Sequence, residues 1–167
     1  MLNSILAVCT WFGITCDKDV VIGIQLPRVN LSGSINAELG ILQHLQFIDL
    51  SENSIYGNIP DEIRRHRQLK DLNLAFNQIE GVLHQFQPVL EVLNVSHNEL
   101  SGPLASDFGT ESGNLKVFDA SHNRIGGVIP PSLGRMYGLK LLDLGFNMVS
   151  FKELPGHFHE ASQVNDK

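Results

Sequence analysis

The stretch LKDLNLAFN, Leu69–Asn77, carries leucine at its first, fourth and sixth positions and asparagine at its ninth. The same spacing returns in LQFIDLSEN (Leu45–Asn53), LEVLNVSHN (Leu90–Asn98), LKVFDASHN (Leu115–Asn123) and LKLLDLGFN (Leu139–Asn147). A sixth, degenerate copy, VIGIQLPRV, runs from Val21 to Val29 with Val in the place of Asn. Counted from Val29, the intervals are 24, 24, 21, 25 and 24 residues. A near-constant period of this length marks a repeat architecture, in which each unit buries its apolar face only against its neighbours.

Each position in the period has a physical role. The L-x-L step reads as a short strand whose alternate side chains point inward, so Ile48 and Leu50 enter a shared core and stacked units build one parallel sheet. The asparagine follows where the chain leaves the strand. Its amide offers two donors and an acceptor to backbone groups that a turn between repeats would leave unpaired, so Asn53, Asn77, Asn98, Asn123 and Asn147 are predicted to form a ladder.

The second half of each unit reads x-[LI]-x-G-x-[IL]-P, as in SIYGNIP ending at Pro60, ELSGPL ending at Leu104 and RIGGVIP ending at Pro130. Over residues 9–155 this resembles the plant-type extracellular leucine-rich repeats of receptor kinases, receptor-like proteins and wall-enzyme inhibitors. The resemblance implies an α/β solenoid of about six repeats, with one parallel concave sheet, a convex side of 3-10 and irregular segments, and an N-terminal disulfide cap. The expected organisation is a partial cap over residues 1–19, repeats over 20–155 and a polar tail over 156–167.

Composition agrees with a single folded unit. The chain has 167 residues, 43% of them hydrophobic and 18% charged, enough apolar material for a core. Twelve Lys and Arg against 18 Asp and Glu give a net charge of −6, which argues against a nucleic-acid partner. No apolar run approaches the roughly 18 residues of a membrane-spanning helix. The opening MLNSILAV is short and lacks a basic residue, which makes it a poor secretory signal.

The two cysteines, Cys9 and Cys16, lie in CTWFGITC just ahead of the first repeat. From the residues alone they form either a bridge or two reduced, buried thiols; no neighbouring Cys or His points to a metal site. The family resemblance implies the bridge, with Trp11 covering the core edge of the first repeat. Closing so small a loop removes about 2.5 kcal/mol of unfolded-chain entropy. Two glycosylation acceptors, Asn30-Leu-Ser32 and Asn94-Val-Ser96, are compatible with secretion, Asn30 toward an edge and Asn94 on the concave face.

Function is expected on the concave face. The position before the ladder residue reads Arg28, Glu52, Phe76, His97, His122 and Phe146; the strand centre reads Gln25, Asp49, Asn73, Asn94, Asp119 and Asp143; two residues earlier come Gly23, Phe47, Asp71, Val92, Val117 and Leu141. The Asp/Asn column is either a solvated hydrogen-bonding stripe or a ligand contact. Phe47, Phe76, His97, His122 and Phe146 read as exposed binding residues, or as rings that cover one another laterally. With them, Asp49, Asp71, Asn73, Asp119 and Asp143 complete the candidate ligand-binding set.

No cofactor and no metal ion is expected. His97, His122 and Asp119 lack a third fixed ligand at metal spacing, and His157, His159 and Glu160 fall in the tail. Acids such as Asp119 and Asp143 stand in no pocket that would raise a pKa, which makes glycosidase-type catalysis improbable. No nucleophile elbow, P-loop or dinucleotide fingerprint occurs. Arg64, Arg65, His66 and Arg67 read as a solvated convex edge or as a contact for an acidic wall polymer.

The segment from CTWFGITC through VIGIQLPRVNLSGSINAELGILQHLQ is similar to the start of the somatic-embryogenesis receptor kinase group. In that group an aromatic-His pair in the cap loop helps hold a ligand between receptor and co-receptor. Phe12 matches the aromatic and implies a cap contact, whereas Gly13 stands where the His would be. These resemblances imply a non-catalytic, extracellular or cell-surface module that binds a peptide or protein ligand, with a co-receptor or receptor kinase as a further partner. The alternatives are a secreted inhibitor of a microbial wall-degrading enzyme such as polygalacturonase, and a truncated gene product without function.

Overall fold

The computed structural model describes residues 8–110 and 113–150. The short strands expected at each L-x-L step are β2 (Val20–Gln25), β4 (Phe47–Asp49), β6 (Asp71–Asn73), β8 (Val92–Asn94), β10 (Val117–Asp119) and β12 (Leu141–Asp143). They pair parallel and in phase, each residue facing the one at the same position of the next repeat. The in-phase register carries each motif leucine directly onto its counterpart. Leu45, Ile48, Leu69, Leu72, Leu74, Leu93 and Phe118 are almost wholly buried in one continuous core, each such side chain contributing about 1.5–3 kcal/mol. Ala120 stands in the place of a leucine, and in the same repeat the buried rings of Phe108 and Phe118 pack 5.3 Å apart.

The far side of the solenoid carries the expected 3-10 and irregular segments, at Ala37–Ile41 and Pro131–Arg135 among others, and in addition an element that was not expected. The stretch after each ladder residue forms a second parallel sheet, built from β3 (Ser32–Ser34), β5 (Ser54–Gly57), β7 (Gln78–Val82), β9 (Glu99–Pro103), β11 (Arg124–Val128) and β13 (Met148–Ser150). Repeats stacked closely enough to join the first sheet bring these segments within hydrogen-bonding distance as well. Their register slips by two residues per repeat, Tyr56 facing Gln78 and Gly126 facing Met148. A slip of about 6.6 Å on one side only inclines the two sheets to one another and twists the stack. The glycine of this segment is demanded at Gly81, where φ is +88° and an added Cβ would lie 2.2 Å from Asn58 Oδ1.

Among the described residues, the turns back hold short helices at Ala37–Ile41, Asp61–Arg64 and Pro131–Arg135. The shortened 21-residue unit has none there; Leu83, Phe86 and Leu90 bury themselves in the core along an extended path. Arg64 and His66 do not belong to a solvated edge. His66 is 6% exposed, held by Leu42 O at Nε2 and by the Gln68 N–H at Nδ1, and the Arg64 guanidinium reaches Gln85 O and Asp61. Arg65 and Arg67 alone face solvent.

The N-terminal end is closed by a strand. β1 (Ile14–Asp17) pairs antiparallel with β2 and extends the first sheet by one. Cys9 and Cys16 are bridged, with Cα atoms 5.7 Å apart. Trp11, expected over the core edge, is 62% exposed; Ile14, Val21 and Leu26 do the covering, because the hairpin already satisfies both the backbone and the apolar edge of β2.

The five asparagines bind the stack together. Asn98 Oδ1 accepts from Ile79 N at 2.9 Å, and its Nδ2 donates to Leu74 O at 2.9 Å and Val95 O at 3.1 Å, joining both sheets of one repeat to the strand of the next. Asn77, Asn123 and Asn147 repeat these bonds, and Asn53 makes their counterpart with Leu26, Val29 and Leu31. Val29 escapes the pattern for a reason: an amide there would bond a preceding repeat, and a hairpin strand stands in that place. Asn98→Ala strands the Ile79 N–H and the Leu74 carbonyl in the core, so it should lower stability by about 3 kcal/mol, measured as a fall in denaturant midpoint at unchanged m-value.

Candidate functional site

The surface lined by the first sheet presents three columns of side chains. The outermost holds Phe47, Asp71, Val92, Val117 and Leu141 in direct cross-strand succession. The Phe47 ring lies over Gly23, so closely that a Cβ on that glycine would sit 1.8 Å from the ring. Phe47, Asp49, Lys70, Asp71 and Asn73 then wall a shallow recess of about 310 Å³. Burial pushes the Asp71 carboxyl above its ordinary value, and the negative charge of Asp49 on the neighbouring strand adds to the effect.

The strand-centre column has a structural task. The Oδ1 of Asp49, Asn73, Asn94, Asp119 and Asp143 each accepts from the backbone N–H two residues on, at 2.8–3.2 Å. Where that residue is serine, as at Ser51, Ser96 and Ser121, its hydroxyl donates to the same oxygen. The column closes the turn out of the strand with one oxygen of each group, and its five residues stay half-exposed.

The third column departs from the expectation of residues on the sheet itself. Arg28, Glu52, Phe76, His97, His122 and Phe146 all sit just past the strands with φ between +52° and +57°, a left-handed conformation that costs an L-residue roughly 1–2 kcal/mol. Bonds between repeats hold it: Phe76 N–H donates to Ser96 O, His97 N–H to Ser121 O and His122 N–H to Gly145 O. The side chains thereby align along the solenoid axis. Phe76, His97, His122 and Phe146 form an unbroken stack with centroids 4.0 Å apart and planes within 15° of parallel. Arg28 and Glu52 continue the column as an ion pair. These rings therefore do have a packing reason to be there, yet Phe76 stays 51% and Phe146 68% exposed. Face-to-face imidazoles aim their lone pairs side by side, so His97 and His122 cannot converge on one metal ion at the 2.0–2.1 Å that zinc requires.

The cap loop meets the N-terminal end of this surface. Gln25 N–H, at the head of the strand-centre column, donates to Gly13 O, which places the 78%-exposed Phe12 beside it. Gly13 has φ +77°, and a Cβ there would lie 2.4 Å from both Gln25 O and Leu26 Cδ2. A histidine cannot occupy position 13 in this cap, so the aromatic-His pair of the embryogenesis group is not formed. Of the two acceptor asparagines, Asn30 is exposed just after a turn, whereas Asn94 is half-buried in the sheet with its side-chain carbonyl engaged by Ser96. Residues His157, His159 and Glu160 lie outside the described residues. Nothing in the residue types announced the left-handed turn; its one signal was the shared place in the repeat.

Burial pushes the His97 imidazole below its ordinary value, His122 pushes it the same way, and Asp119 pulls against both. A histidine that stays neutral in the folded chain binds fewer protons than in the unfolded chain, so stability rises with pH through that window. His97 thus contributes stability that is present above the unfolded value of about 6.5 and is lost as pH falls through the lowered folded value. The melting temperature should fall between neutral and mildly acidic pH, and His97→Phe, which keeps a ring in the stack, should flatten that decline.

The family profile described as Leucine Rich Repeat matches residues 44–66, 89–110 and 114–136. Receptor-like protein 39 of Arabidopsis thaliana is 34% identical over 164 residues, covering 91% of this chain and 18% of that protein. The ectodomain of the Arabidopsis receptor kinase HAESA, solved with an IDA peptide hormone ligand, superposes with a TM-score of 0.78 at 31% identity, over 85% of this chain and 25% of that one. The structure of a pollen receptor kinase 3 superposes with a TM-score of 0.75 at 32% identity, over 84% of this chain and 70% of that one. The chain spans between 12% and 21% of the length of the first curated relatives it matches. Repeat period, twin sheets, bridged cap and these likenesses agree: the chain belongs to the leucine-rich-repeat family, among the ectodomains of plant receptor kinases and receptor-like proteins.

Proposed function

We propose that this chain is a ligand-sensing module of a plant cell-surface receptor, non-catalytic in itself, which binds a peptide or protein ligand along its concave face and works with a co-receptor or receptor kinase. The observation that carries this reading is the surface itself: carboxylates and apolar side chains set out in straight columns on a parallel sheet, with a column of stacked rings just past its strands. Such a face gives an extended ligand many aligned contacts, and exposed aromatic rings are the side chains that dominate binding energies. HAESA, similar over most of this chain, is solved with a peptide hormone. Shallow relief supports binding over catalysis, since a reacting group would need an enclosed site to shift its pKa. The extracellular setting is supported by the bridged Cys9 and Cys16, and a glycan fits the exposed Asn30 better than the engaged Asn94. No helix among the described residues is long and apolar enough to cross a membrane.

The test is an array of synthetic secreted plant peptides probed with the purified chain. The stack should matter at its outer edge. Phe76→Ala with His122→Ala should weaken the best binder about tenfold, roughly 1.4 kcal/mol, at nearly unchanged circular dichroism. Full affinity in that variant would remove the stack from the binding surface.

A further inference from the structure

Three ion pairs among the described residues join neighbouring repeats. Arg28 meets Glu52, Lys116 meets Glu91 and Arg124 meets Glu99, each with a residue from a neighbouring repeat. No carboxylate of the strand-centre column takes part in an ion pair with a described cation. Asp119 and Asp143 oppose each other in register on β10 and β12, and like charges directly opposed on a sheet destabilise it.

The turn does not need those charges. Asn73 and Asn94 accept the same backbone bond with a neutral amide that Asp119 and Asp143 accept with a carboxylate. The carboxylates therefore add a charge that the fold does not use. Beside them in the same register runs the apolar row of Val92, Val117 and Leu141, the first two half-buried and the last exposed. On the other side of that row stands Lys140, which makes no ion pair with any described carboxylate.

We infer that the C-terminal half of the concave sheet seats a basic peptide segment lying along the solenoid axis, with an apolar residue on Val117 and Leu141 and a Lys or Arg side chain on Asp119 and Asp143. Lys140 repels the reversed placement and so sets which side the cation takes. The three strands β8, β10 and β12 span about 9.6 Å, a length covered by three or four extended residues. A net charge of −6 draws the same ligand from a distance. This inference rests on the concave-face reading proposed above and adds the chemistry of the ligand.

The experiment is selection of a phage-displayed random linear dodecapeptide library on the immobilised chain, followed by affinity measurement of the best enriched peptide made synthetically. Three proteins are compared: the unaltered chain, Asp119→Asn with Asp143→Asn, and Val117→Gln with Leu141→Gln. The asparagine variant keeps the turn bond, so its melting temperature should not fall. The expected result is enrichment of peptides with Lys or Arg next to an apolar residue, and at least a fivefold loss of affinity in the asparagine variant. A smaller loss, a selection without basic bias, or no enrichment at all overturns the inference. The glutamine variant separates the two levels: lost binding there with unchanged binding in the asparagine variant leaves the concave face standing and removes the charge assignment. Unchanged binding in both variants removes the concave face as well.

Discussion

Every feature of this solenoid depends on how a repeat closes the turn at the end of its strand. The chain must leave the sheet between two neighbours, where water cannot reach its backbone, and buried amides and carbonyls without partners are costly. One asparagine per repeat solves the problem in both directions. Asn123, itself buried, accepts from Leu100 N and donates to Val95 O and Ala120 O, so the same side chain holds its own turn and the repeat before it. The second sheet follows from this clamp, because the segment bonded by each amide is the one that enters β5, β7, β9 and β11.

The same turn shapes the surface offered to a ligand. The residue before each ladder position takes a left-handed turn in all six repeats, before Val29 as well as before the five asparagines, so the turn belongs to the repeat and the amide clamps it from the next position. The side chains of these left-handed residues leave along one line, 4.0 Å apart where they are rings, close to the strand spacing of a sheet. Stacking thus repays part of the backbone strain while keeping the outer edges of the rings accessible. The strand-centre acids and amides close the turn from its other side, so two of the three columns that could meet a ligand also hold the fold.

That double use explains which substitutions separate binding from folding. Charge can change at Asp119 or Asp143 without loss of the turn bond, since Asn73 and Asn94 make it with an amide. Ladder residues allow no such exchange, because donor and acceptor are both consumed. The half-buried Asp71 stands between these cases: it makes no turn bond of the strand-centre kind, and burial together with Asp49 raises its pKa.

Much of this was legible in the sequence because a repeat writes the same instruction several times. The period, the strands, the inward residues such as Ile48 and Leu72 and the ladder at Asn53 to Asn147 all follow from one motif and the alternation of a strand. What the motif could not express was decided by contacts between repeats. The second sheet exists only when neighbours are stacked, the Phe76–His97–His122–Phe146 stack only when four turns coincide, and the exposure of Trp11 only because β1 reached the core edge first. A sequence pattern states what each residue can do within its own unit; which partner it meets is settled by the registers, zero on one sheet and two residues on the other, that the packed core imposes.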